Sequence, residues 1–204
     1  MNIEYFNEYL KYEQNGIKAK KKETLNKFIL SFENYTEKES WTMEFLPKLV
    51  QNSNGNGRIR NELFEEIIFP VLLNGYNSKN ITSMIWLVKL NQNFHQNHKI
   101  WQQINYTTEL EIIEECYSID PNNTEVIDEY LKIVIRGIDF TIHEMPFGIL
   151  YGNSFATKDE CKELLEEIPL IKKLDRNNEY KDYIIEYENM LKESINKNIK
   201  KGID

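Results

Sequence analysis

Arg136, Asp139 and His143 stand at i, i+3 and i+7, a spacing that gathers a guanidinium, a carboxylate and an imidazole on one face of a helix. A carboxylate four residues before a histidine favours the imidazolium, so the pair can move protons near neutral pH while the arginine binds an anion. The segment 143–153 (HEMPFGILYGN) follows directly, with two glycines, a proline and Tyr151. Glycine lets backbone approach a ligand closely, and Tyr151 with His143 would supply polar contacts at the mouth of a pocket. His143, Asp139, Arg136 and Tyr151 are therefore the candidates for catalysis or small-molecule binding. The same positions have a plainer reading. Glu125, Asp128, Glu129, Lys132, Arg136, Asp139 and His143 also form a solvated helix face, laced with i,i+4 pairs worth about 0.3–0.5 kcal/mol each, and the apolar loop then serves as a packing plug.

Charge supplies the second candidate. Residues 105–145 hold ten carboxylates against two cations, Lys132 and Arg136, and so account for the whole formal charge of −8. Clustered charge steers and selects partners, whereas dispersed charge mainly confers solubility. Glu111, Glu114, Glu115, Asp128 and Glu129 are the expected binding residues, and a basic protein is the expected partner. Bacterial immunity proteins, which neutralise a cognate and often cationic toxin, have this kind of size and acidity. The abundance of Ile, Asn and Lys beside only two alanines fits an AT-rich, bacterial coding sequence.

Other chemistry lacks its usual signal. His95-x-x-His98 has a metal-compatible spacing, but two ligands without a nearby cysteine or carboxylate make no committed site. No P-loop, GxGxxG, GxSxG or HExxH pattern occurs, so neither a cofactor nor a metal is expected. Lysines gather at 18–22 and 192–201 without interleaved arginine or a recognition motif, and no nucleic-acid partner is expected. Cys116 and Cys161 each fall on an apolar helical stripe, as buried free thiols do. No secretory leader opens the chain and no apolar run approaches the ~20 residues of a spanning helix; a cytoplasmic protein with no membrane partner is the expectation.

The elements that would position these groups are helical throughout, since apolar residues recur at i, i+3, i+4 and i+7 and no hairpin turn lies between alternating runs. Asn2 caps a first helix containing Phe6, Tyr9 and Leu10. A second carries Leu25, Phe28, Ile29 and Phe32, and a third, around 37–51, carries Trp41, Phe45 and Leu49 with a kink or restart at Pro47. After the loop at 52–57 (NSNGNG), an apolar helix including Leu63, Ile67 and Ile68 bends at Pro70. Thr107 or Thr108 opens a helix with one stripe of Leu110, Ile113 and Tyr117 and another of Ile112, Cys116 and Ile119. Residues 124–145 place Leu131, Val134, Ile135, Ile138, Ile142 and Met145 within an arc of about 100°. Thr157-x-x-Glu160 is a capping box, and the last helix repeats the spacing with Tyr180, Tyr183, Ile184, Tyr187 and Leu191.

Residues 114–123 (EECYSIDPNN) resemble the end of the second helix and the turn of a tetratricopeptide repeat, and 75–90 is similar to the first helix of a Sel1-like repeat. The two stretches cover about one-fifth of the chain, and the resemblance implies helical hairpins and protein binding. The chain departs from both families in having almost no alanine for close helix approach. The fold expected is all-α: an antiparallel helical bundle or short irregular α-solenoid of about eight to nine helices, in one domain over 1–204 with 52–57 as its only internal boundary. Three functions follow as alternatives: an immunity-type protein presenting the 105–145 acidic face, a helical enzyme or binder at His143 and the 146–156 loop, or a scaffold joining subunits through the Tyr180 to Leu191 stripe.

Overall fold

A computed structural model describes residues 1–52, 59–95, 97–144 and 157–201. The chain is all-α, and no strand occurs among the described residues. It forms two compact units, Met1–Ile112 and Ile113–Asp204. The division falls inside a helix rather than at the 52–57 loop.

In the first unit, α1 (Ile3–Gln14), α2 (Lys18–Leu30) and α3 (Tyr35–Asn52) enclose an aromatic cluster. Phe6 lies 4.9 Å from Phe28 and 5.4 Å from Trp41, and Trp41 stacks on Phe45 at 4.5 Å. Helix α3 runs through Pro47 as one element, so of the two outcomes expected there the restart does not occur.

The next helical stretch begins as α4 (Asn61–Leu63), widens to a π-turn at Phe64–Ile68 and continues as α5 (Phe69–Asn77). Proline has no N–H for the carbonyl four residues earlier, so Pro70 leaves the Glu66 carbonyl without its usual donor. Lys38 on α3 takes that place, its ammonium donating to the Glu66 carbonyl at 2.9 Å. A single extra residue in the turn and one lysine thus carry the chain past a helix breaker.

Helix α6 (Ile81–Lys89) is capped by Asn80, whose side chain accepts from Ser83 N–H. It approaches α5 so closely that a Cβ on Gly75 would fall 2.1 Å from Ser83 Oγ. Glycine and serine here do what alanine does in other helix pairs. The short α7 (Asn91–His95) and α8 (His98–Gln103) lead into α9 (Glu109–Ile119).

The second unit contains α10 (Thr124–Glu144), α11 (Lys158–Leu174) and α12 (Lys181–Lys201). Its core is aliphatic: Ile138, Cys161, Ile168, Ile171, Ile184, Tyr187 and Leu191 are buried together. The Thr157/Glu160 capping box opens α11 as expected. Asp175, buried between α11 and α12, accepts the backbone N–H groups of Glu179 and Tyr180 and so turns the chain into α12. Cys116 and Cys161 are thiols and fully buried.

Two stripes differ from expectation. On α10 the buried residues are Val126, Ile127, Tyr130, Ile133, Ile138 and Thr141, while Leu131, Val134, Ile135 and Ile142 are half-buried; Met145 lies outside the described residues. Periodicity finds one apolar arc, but α10 packs over a wider one that also takes in Tyr130 and Thr141. On α9, Ile112, Ile113 and Cys116 are buried, whereas Leu110 and Ile119, at the helix ends, are 41% and 45% exposed.

Candidate functional site

Formal charge divides between the units. Residues 113–204 contain 20 Asp and Glu against 12 Lys and Arg, a net −8, and residues 1–112 contain 13 against 13. The expected binding carboxylates do not stand as one uniform face, because several have tasks inside the fold.

Glu111 closes the start of α9. Its carboxylate accepts the Thr108 N–H at 2.7 Å and the Thr108 hydroxyl at 2.8 Å, while its own N–H donates to Thr108 Oγ1 at 3.3 Å. This is a reciprocal cap, and the Thr108 N–H, then its hydroxyl, hold the Glu111 carboxyl below its usual range. Glu114 accepts the Tyr130 hydroxyl at 3.1 Å. Burial, then the Glu114 charge, pushes the Tyr130 phenol far above its ordinary value. Tyr117 meets the Tyr130 ring edge-on at 5.7 Å, with the Lys173 ammonium 5.4 Å from its own centroid. Glu167 of α11 joins this group; burial of its carboxyl, then Glu114's charge, raises it. Glu115 is half-buried and Asp128 exposed. Glu129 is mostly covered and bonds Lys132 at 2.8 Å.

The proton-transfer candidates are distributed differently from the expected pairing. His143 Nδ1 lies 2.9 Å from Glu144 Oε1, and Asp139 accepts the Tyr183 hydroxyl. Burial first, then that bond, pushes the Tyr183 phenol up to about 12. Arg136 is exposed on the same helix. Tyr151 and the 146–156 loop lie outside the described residues. His98 is exposed, with its ring 5.1 Å from Tyr106; nothing is described of the His95 side chain. No group of three metal-ligating side chains occurs among the described residues, and no described helix is long and apolar enough to cross a membrane.

The α12 stripe expected to join subunits is used within the chain: Ile184, Tyr187 and Leu191 are 1%, 2% and 0% exposed. The opposite face of α12 was not singled out by sequence. There Asp182, Ile185, Glu186, Asn189, Met190 and Glu193 line a concavity of about 490 Å³ among the described residues. Segment charge hides it, because 146–204 holds 12 carboxylates and 10 cations. Helical phase reveals it: Lys172 and Lys192 both bond Glu188, each at 2.5 Å, on another side of the helix. Resolving charge by helix face rather than by segment would have found the row.

Such an arrangement attracts positive charge through the summed field of the unit; single exposed pairs contribute about 0.2–1 kcal/mol, so affinity for a partner would require several contacts or apolar surface besides. No family model, curated protein or solved structure matches the chain.

Proposed function

We propose that the chain is a protein-binding protein whose 113–204 unit presents carboxylates to a basic protein partner. The observation that carries this reading is the confinement of the entire net charge of −8 to that unit, beside a neutral one. Evenly spread acidity would serve solubility; a difference of this size between two parts of one chain gives the molecule an electrostatic direction. Asp128, together with Glu114, Glu115 and Glu129, forms the part nearest α9 and α10. An immunity-type protein that neutralises a cationic toxin is the concrete form of the proposal.

The test is affinity capture from the source organism's lysate with the whole chain as bait, at low and high salt. Exposed charges are screened over about 8 Å at physiological ionic strength, so a basic protein should be recovered at low salt and released at high salt. Asp128→Lys should weaken its recovery. Reversing Glu111 would be a poor probe, because it would also undo the α9 cap. Recovery that ignores both salt and Asp128→Lys would rule the proposal out.

A further inference from the structure

The outer face of α12 carries a second, differently built surface on the acidic unit. At 100° per residue, Asp182, Glu186, Asn189 and Glu193 fall within about 60° of arc and extend about 16 Å along the helix. Ile185, 39% exposed, flanks this row on one side and the half-buried Met190 on the other. These six residues line the 490 Å³ concavity, and they include three carboxylates and no cation. Lys172 and Lys192 bond Glu188, which lies on another side of the helix.

We propose that this groove docks a basic amphipathic helix of a partner protein. The inference rests on the reading that the 113–204 unit binds a basic protein, and it assigns that partner a secondary structure and a place to lie. Charge alone would be too weak, because exposed pairs contribute little each. Apolar surface at Ile185 and Met190, set beside the carboxylates, gives a helix somewhere to place residues at i, i+3, i+4 and i+7 while lysines or arginines reach Asp182 and Glu186. Three carboxylates strung over three turns suit several ammonium or guanidinium groups better than one metal ion, which needs its ligands converged. A second copy of this chain is disfavoured as occupant because the unit that carries the groove also carries the whole charge of −8, and like fields repel.

The experiment measures fluorescence anisotropy of two labelled peptides of about 18 residues, or five turns, binding to the full chain. One has leucines at i, i+3, i+4 and i+7 with lysines on the other face; its companion has the same composition scrambled. The amphipathic peptide should bind about tenfold more tightly than the scrambled one, and Ile185→Asp or Glu186→Lys should each remove about that factor. Both replaced side chains are exposed, and an unchanged melting temperature will show that the fold is kept. Asp128→Lys should alter this affinity by less than about twofold. Equal binding of the two peptides, or binding indifferent to the α12 substitutions, would overturn the groove. Loss with Asp128→Lys alone would overturn the groove and leave the acidic-surface reading standing. Absence of binding by either peptide would overturn the groove, and the salt-dependent capture alone would then decide the acidic-surface reading. A concentration-dependent dimer of the native chain in sedimentation, abolished by Ile185→Asp, would identify the occupant as a second copy and overturn the proposal.

Discussion

The two units bury different chemistry. In the first three helices of Met1–Ile112, rings meet rings: Phe6, Phe28, Phe32, Trp41 and Phe45 touch one another, while the rest of that unit buries aliphatic residues such as Leu63, Ile67, Leu72, Met84 and Leu87, and all three tryptophans of the chain lie in it. In Ile113–Asp204 the interior is mainly isoleucine and leucine, and two tyrosine hydroxyls reach carboxylates, Tyr130 to Glu114 and Tyr183 to Asp139. A phenylalanine in the interior makes no such demand on the surface. A tyrosine at the edge of an aliphatic core needs an acceptor, and where that acceptor is an acid, part of the unit's negative charge becomes structural. The contrast explains why the 105–145 carboxylates serve unequal purposes although the count treats them alike.

The largest expected effect tests the aromatic unit. Phe28 is fully buried, and Phe28→Ala should destabilise it by about 3–5 kcal/mol. Urea unfolding followed by tryptophan fluorescence, which reports this unit alone, should show the midpoint falling; an unchanged midpoint would break the comparison. Next in size is Gly75→Ala. The added methyl would overlap Ser83, and overpacking of this kind costs about 1–3 kcal/mol. Ser83→Gly in the same chain should recover much of the loss in a double-mutant cycle.

Lys38→Met removes the donor to the Glu66 carbonyl and should cost about 1 kcal/mol, read by the same fluorescence transition. The smallest effect has the opposite sign and belongs to the acidic unit. Glu167 has a folded pKa raised by burial and by Glu114. A raised carboxylate binds its proton more tightly when folded, so its ionisation opposes folding at neutral pH, and that opposition fades as pH falls through the folded value. Glu167→Gln should therefore raise the melting temperature slightly at pH 7 and have no such benefit at pH 3. Glu188 provides the reference: hydrogen bonds from Lys172 and Lys192 hold it below its usual range. Its contribution is present above the unfolded carboxylate pKa and lost as pH falls through the lower folded one, so Glu188→Gln should be destabilising at pH 7.

Much of the helical framework was legible in the sequence because caps and apolar periodicity are local. Asn2 and the Thr157/Glu160 box stand where their residue types say they should. The outcome at a proline is less local: Pro70 frees the carbonyl of Glu66, and the partner that it finds is Lys38, 28 residues away. The site was partly legible: net charge marked α9 and α10, but which carboxylates face inward depends on Thr108 and Tyr130, and spacing cannot specify that Tyr183 will engage Asp139. The α12 row was missed because the lysines of 146–204 balance its count, two of them, Lys172 and Lys192, bonding Glu188 on a different side.

Cys116 and Cys161, the chain's only cysteines, are fully covered and both belong to the acidic unit. A thiol must reach solvent before a reagent can alkylate it, and burial further suppresses the reactive thiolate of Cys161. Under native conditions the rate of alkylation therefore measures how often that unit opens. With tryptophan emission reporting on the other unit, the unmodified protein carries a separate clock and lamp for its two halves.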